Sequence, residues 1–286
     1  MSKKIEMIEN KLNSLKKKFN LLKIDGYVVP KNDEFFSEYS QKDRLRTISN
    51  FSGSAGYAVI LKNKNILFVD GRYTIQAHIE SGKYFKIEKL EKILDCKLFK
   101  GLTLGIDPKI FTQGQIKKFF LKYNKIKIIN TNLIDNIFNK YKINSKPFFS
   151  LNQKITGESC KKRIIKISKI LKKHKSDYLF VTAPENVAWL LNIRGYDNPN
   201  SPIPNCRLIL TKNKKIFLIS EKFKVTKLIR EKKILKNEVF ETESFERLIN
   251  KLKSGKIIID KKTCSIYFNK VLQKKFRILN KEDPIY

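Results

Sequence analysis

Residues 50–77 read NFSGSAGYAVILKNKNILFVDGRYTIQA, and the rest of the chain is read outward from them. The stretch opens on the small-residue turn Ser52-Gly53-Ser54-Ala55-Gly56, where glycine lets other backbone approach closely. An apolar run over 57–61, a polar turn Lys62-Asn63-Lys64-Asn65 and a second apolar run over 66–69 follow. Two such runs across a short polar turn predict a β-hairpin. The second run stops at Asp70-Gly71-Arg72-Tyr73, and an amphipathic helix begins there. Asp70 suits its N-cap, because a carboxylate accepts from the free N–H groups of a first turn.

Upstream, Ile8, Leu12, Leu15, Phe19 and Leu22 recur at helical spacing with lysines between them, which predicts an amphipathic first helix. Tyr27-Val28-Val29 is a short buried strand stopped by Pro30, and 31–49 is polar and turn-rich. Downstream, strands are expected near 85–87, at 102–106 and at 126–129, with helices near 91–98 and over 112–123. Asn144, Ser145 and Pro147 mark a domain edge, and a helix over 158–173 follows it.

The second half then repeats the first. Asp25-Gly26-Tyr27-Val28-Val29 is echoed 152 residues later by Asp177-Tyr178-Leu179-Phe180-Val181. The hairpin ending at Asp70 is echoed 150 residues later by one ending at Ser220, and the strand ending at Asp107 is echoed 153 residues later by Ile257-Ile258-Ile259-Asp260. One offset held by three landmarks predicts two copies of one α/β domain, 1–148 and 149–286. Hairpin neighbours are antiparallel and helix-crossed strands parallel, so each sheet should be mixed.

The chain has 286 residues, 41% of them hydrophobic and 11% aromatic, enough for a folded core in each half. No apolar run approaches the roughly 20 residues that cross a bilayer, and no secretory signal opens the chain, so the cytoplasm is the expected compartment. Cys96, Cys160, Cys206 and Cys264 are too scattered for a zinc or redox motif and read as reduced thiols. The net charge of +34 invites a nucleic-acid reading, but only nine of the 61 basic residues are arginine, the side chain best suited to phosphate forks and base edges. The lysines are scattered and come with abundant isoleucine and asparagine, a pattern that a biased coding composition produces.

Two motifs carry a family resemblance. The order Phe51, Gly53-Ser54-Ala55-Gly56, hairpin, Asp70-Gly71-Arg72-Tyr73, Gln76-Ala77 resembles the N-terminal domain of Xaa-Pro aminopeptidases (aminopeptidase P) in the creatinase/prolidase superfamily. The segment Glu185-Asn186-Val187-Ala188-Trp189-Leu190-Leu191-Asn192-Ile193-Arg194-Gly195-Tyr196-Asp197 is similar to a second block of that family. The resemblance implies two tandem creatinase/prolidase N-terminal-like domains, each a mixed sheet flanked by helices. It also implies a metallopeptidase domain holding two divalent metals, usually manganese, through two Asp, one His and two Glu, which activates water against the bond before proline. That ligand set is not recognisable in these residues. His78 and His174 stand alone, and His174 lies among lysines. The chain ends at Asp283-Pro284-Ile285-Tyr286, where the family places the start of its catalytic domain.

The expected role is therefore the non-catalytic part of a Xaa-Pro aminopeptidase, inactive alone. It would gate access of proline-containing peptides and form contacts with a catalytic domain, in cis or trans, and within a homodimer. The alternative is a stand-alone interaction module without catalysis. The Ser54 turn precedes a hairpin and lacks the strand-to-helix context of a nucleophile elbow; close loop packing is its expected use. Arg72 stands at a helix start, where a cation gains nothing from the helix dipole. It requires an acid such as Glu38 or Asp43, or else, as the resemblance implies, it lines the mouth of a catalytic cleft with the turn from Phe51 to Gly56. Trp189 is expected in the core with Val187, Ala188, Leu190 and Leu191. Asn192, Arg194 and Asp197 leave that apolar run as polar groups, to hold a domain junction or border a substrate channel.

Overall fold

The structure is a computed structural model that describes residues 2–95, 98–138 and 145–285, with side chains from residue 7 onward. Cys96, Asn144 and Tyr286 lie outside the described residues, as does part of the helix expected over 91–98. The chain divides into two compact units, Met1–Lys142 and Ile143–Tyr286.

The first unit runs α1 (Ser2–Leu21), β1 (Gly26–Pro30), α2 (Arg44–Ser49), β2 (Gly56–Leu61), β3 (Asn65–Val69), α3 (Thr74–Ser81), β4 (Lys86–Lys89), β5 (Thr103–Ile106), α4 (Gln113–Ile116), β6 (Lys125–Ile128) and α5 (Leu133–Phe138). Its six strands lie in the order β4-β3-β2-β1-β5-β6. The β1–β2 and β2–β3 pairs are antiparallel; β3–β4, β1–β5 and β5–β6 are parallel. Both faces are covered, which is why the central strands read as unbroken apolar runs. Leu12, Leu15 and Phe19 of α1 pack with Tyr27, Val29 and Ala58 on one face. On the other, Phe68, Phe99, Phe120 and Phe111 form a chain of ring contacts with centroids 5.9–6.5 Å apart. The helix expected over 112–123 is α4, opened by a capping box between Thr112 and Gln115 and continued by a π-helical turn over Lys117–Leu121.

The second unit runs β7 (Phe149–Ser150), α6 (Gln153–Thr156), α7 (Cys160–Lys173), β8 (Tyr178–Val181), α8 (Pro184–Leu191), β9 (Ile193–Arg194), β10 (Arg207–Thr211), β11 (Ile216–Ile219), α9 (Thr226–Arg230), β12 (Val239–Phe240), α10 (Phe245–Lys251), β13 (Gly255–Ile259), α11 (Ile266–Gln273) and β14 (Phe276–Asn280). Its main sheet, β12-β11-β10-β8-β13-β14, repeats the first order strand for strand. The copies share their fastenings too. Asp25 donates its N–H to Thr103 O and accepts from Thr103 N, both at 2.8 Å, just before β1. Asp177 makes the same two bonds with Lys256 at 2.9 Å, just before β8. Past the next parallel strand, Asp107 Oδ1 accepts from Lys109 N and Asp260 Oδ1 from Lys262 N, each at 2.8 Å. The second unit adds a two-stranded antiparallel ribbon, β7–β9, that the first lacks.

Two expectations are corrected. The polar segment 31–49 contains α2, capped by Asp43 and buried along Arg44, Leu45, Ile48 and Ser49. Trp189 is 41% exposed while Val187, Ala188, Leu190 and Leu191 are buried. In α8 the apolar run covers more than one face, and the ring falls on the outer one, where the Arg163 guanidinium carbon lies 4.2 Å from the ring centroid.

Candidate functional site

In the first unit, the hairpin-to-helix corner brings together Phe51, Ser54 and Arg72. Asp70 caps a 3-10 turn, Gly71–Tyr73, that leads into α3. Its Oδ1 accepts from Arg72 N at 3.0 Å and from Arg72 Nε at 2.9 Å. The cation therefore holds the Asp70 carboxyl below its usual range. The acid that steadies Arg72 is Asp70, two residues back, rather than Asp43, which bonds Lys31 and caps α2. The Arg72 side chain remains 74% exposed, and its guanidinium lies 5.6 Å from the Tyr73 ring centroid.

Tyr73 is the hub of this corner. Its ring packs edge-on against Phe51 at 5.9 Å, and its hydroxyl stands 3.0 Å from Ser54 Oγ. Phe51 is wholly buried beneath the turn. Gly53 lies so close over it that a Cβ there would stand 2.2 Å from Phe51 Cζ, so the turn has no room for a side chain at this point. A second fastening ties the turn to α3: Ser52 N and Oγ donate to Glu80 at 2.8 and 2.6 Å, and Gln76 Nε2 donates to Ser52 Oγ at 2.7 Å. Burial alone would raise the Glu80 carboxyl; the bonds from Ser52 and Gln76 turn the shift downward. Ser54 is hydrogen-bonded to a phenol and has no imidazole beside it, so the corner offers a rigid polar surface and not an activated nucleophile.

Beside this corner, at the carboxyl ends of β1 and β5, sits a buried charge cluster that the sequence does not announce. Arg44, 1% exposed, donates Nε to Asp135 Oδ1 at 2.8 Å and Nη2 to Asp135 Oδ2 at 2.7 Å and to Glu34. Burial would raise the Glu34 carboxyl, but Arg44 and Lys42 pull it down to about 2. Asp33 and Asp107, buried nearby without an arginine bonded to them, are pushed up by desolvation. The cluster pins the loop between β1 and α2 onto α5.

In the second unit, Asn192 and Arg194 share one junction and Asp197 belongs to a neighbouring one. Asn192 ends α8 in the left-handed region, φ 54°, and donates Nδ2 to Glu158 O at 2.9 Å. Its Oδ1 accepts from the buried Arg163, which also donates to Trp189 O and, at 2.7 Å, to Thr156 O. Arg194 folds back to donate to Ala188 O and Ile193 O at 3.2 and 2.8 Å. Asp197 is buried against Lys224 Nζ at 3.0 Å and accepts from Ser145 Oγ and Asn205 N. Sequence reasoning missed Tyr73, Glu80, Arg163 and Lys224, the partners that hold the named residues. The i, i+4 spacing of Gln76 and Glu80 was a usable signal for one of them.

Among the described residues no group of three or more His, Cys, Asp or Glu side chains is placed to hold a metal ion. The donors present do not fit the dinuclear centre implied by the resemblance. Cys160, Cys206 and Cys264 are free, and burial raises all three thiols, Cys160 to about 11 and Cys264 to about 12, which keeps them protonated and unreactive. No helix among the described residues is long and apolar enough to cross a membrane.

Residues 11–135 and 139–286 each match a family model described as creatinase/prolidase N-terminal domain. The chain belongs to that family. It is homologous to the N-terminal region of Xaa-Pro aminopeptidases. It is 31% identical over 319 aligned positions to Xaa-Pro aminopeptidase 1 of Dictyostelium discoideum, covering 100% of this chain and 48% of that protein. It is 32% identical over 227 to a probable Xaa-Pro aminopeptidase P of Coprinopsis cinerea, covering 74% of this chain and 36% of the relative. The chain thus spans less than half the length of these two curated relatives. The creatinase/prolidase fold is shared with the X-prolyl aminopeptidase of Caenorhabditis elegans, described as a cytosolic enzyme with a di-nuclear active site. Its TM-score is 0.82 at 22% identity, over 96% of this chain and 50% of that one.

Proposed function

We propose that this creatinase/prolidase N-terminal chain is the substrate-gating, non-catalytic portion of a metal-dependent Xaa-Pro aminopeptidase. In that role it works with a catalytic metallopeptidase domain, in cis or in trans, in the cytoplasm and in a dimeric enzyme. That domain would supply both divalent metals, manganese being the expected ion, and this chain would supply none. The observation that carries the reading is the corner built on Tyr73. It is rigid beneath, through Phe51 and Gly53, and it presents an arginine that is 74% exposed although its fold gives it only one local acid. A guanidinium held this way suits a peptide carbonyl or a cleft carboxylate. Asn192, Arg194 and Asp197 serve the same role as a second border, with Asn192 and Arg194 fixing the end of α8.

The test compares two readouts for Arg72→Ala. The melting temperature of the chain is expected to stay nearly unchanged, since the residue is exposed. In enzyme assembled with the catalytic domain, kcat/KM on a Xaa-Pro peptide is expected to fall about tenfold. A large drop in melting temperature with unchanged turnover assigns Arg72 to the fold and removes it from the cleft.

A further inference from the structure

The outer face of α3 is apolar where its fold gives no reason for it to be. Ile75 and Ile79, one helical turn apart, are each 78% exposed. The second unit supplies an internal control. Asp70 and Glu221 cap equivalent 3-10 turns, and 151 residues also separate the fully buried Ala77 of α3 from the fully buried Leu228 of α9. The same offset sets Ile75 against Thr226 and Ile79 against Arg230, both exposed and both polar. One copy of the fold thus solvates this face in the ordinary way and the other does not. A pair of bare isoleucines on a helix is a contact surface when the same scaffold carries polar residues there without loss.

The charges around the pair select the occupant. Arg72 lies three residues before Ile75 and Lys83 four after Ile79, so at helical spacing a cation stands at each end of the apolar stripe, both exposed. The neighbouring acids are already engaged, Asp70 by Arg72 and Glu80 by Ser52 and Gln76. A second copy of a chain carrying +34 brings the same cations to the contact and is repelled. We infer that the Ile75–Ile79 face of α3 docks an acidic amphipathic protein segment, with two apolar side chains seated on the isoleucines and carboxylates reaching Arg72 and Lys83. A lipid surface is disfavoured, because one eight-residue helix with two isoleucines inserts too little apolar area for membrane attachment.

The experiment uses the full chain and a synthetic helical peptide of about 15 residues, leucine at i and i+4 and glutamate around them, with binding read by calorimetry. Ile79→Arg places in α3 the residue that α9 already carries, so the variant should melt with the native chain. It adds a positive charge while removing half of the apolar stripe, which separates the two attractions. Binding of the acidic peptide is expected to weaken at least about tenfold, and a peptide with lysine in place of glutamate should not bind. The inference is overturned if Ile79→Arg binds as tightly or more tightly, since the attraction is then charge alone, or if the acidic peptide does not bind. It is also overturned if the variant abolishes self-association seen by sedimentation, or isoleucine-dependent binding to phosphatidylserine vesicles.

Discussion

Arg44 shows how one residue can be decisive for stability and silent in sequence. It sits in a stretch that reads as solvated loop, yet its guanidinium is buried between Glu34 and Asp135. Removing one partner from such a cluster leaves the others charged in a dry place. Arg44→Met should therefore lower the unfolding free energy by about 3–5 kcal/mol in urea titrations. Glu34 sets the acid limb of stability. Its carboxyl, held down to about 2 in the fold, contributes fully above its ordinary value and is lost as pH falls from about 4.5 towards 2. Asp33 and Asp107 act with the opposite sign: burial raises them, so their ionisation opposes folding as pH rises through the raised values. Glu34→Gln should flatten the loss of melting temperature between about pH 4.5 and about pH 2.5, an effect worth roughly 2–3 kcal/mol at neutral pH. An unflattened limb would place the acid sensitivity elsewhere.

At the scale of elements, the hairpin, its flanking helix and the long amphipathic helices were legible because apolar spacing alone specifies them. The Asp70 cap was legible for the same local reason. What was not legible depended on contacts from far along the chain. Helix α2 is six residues long, too short for periodicity to stand out, and its buried arginine disguises it. Trp189 was misplaced because an all-apolar run does not say which of its members faces out. The site residues were named correctly as a set of polar and aromatic groups at two corners, but their partners came only with the fold. Two substitutions test those corners. Gly53→Ala puts a Cβ against Phe51 and should cost about 1–3 kcal/mol, whereas Gly71→Ala, with open space around it, should change little. Asn192→Ala combines a left-handed φ of 54° with loss of the acceptor for Arg163 and should cost about 2–3 kcal/mol. Denaturant midpoints for the three variants rank these effects directly.

The whole molecule is two copies of one topology, each with its own cores and its own aspartate fastenings. Residues 1–142 and 143–286, expressed separately, should each melt cooperatively by circular dichroism; a fragment without a transition would show that its core is incomplete. The net charge of +34 acts on the entire chain, since a compact state concentrates like charges. Raising sodium chloride from about 20 mM to about 500 mM shortens the screening length from roughly 20 Å to roughly 4 Å and should raise the melting temperature. The repeat itself was visible in sequence because its aspartates stand at strand ends in both halves. The extra β7–β9 ribbon was not, having no counterpart from which to infer it.

A chain that holds the same strand order twice offers every strand two sets of acceptable neighbours while it folds. The aspartate fastenings cannot tell the sets apart, because Asp25 and Asp177 make the same bonds. Gly26 can. It opens β1 where Tyr178 opens β8, and any Cβ at Gly26 would lie 2.4 Å from Leu61 Cδ2 and 2.8 Å from Ile60 O. A phenol ring has no place there, so β8 cannot substitute for β1 beside β2. One missing side chain thus acts as a sorting key that keeps the two halves from exchanging strands as they emerge and fold.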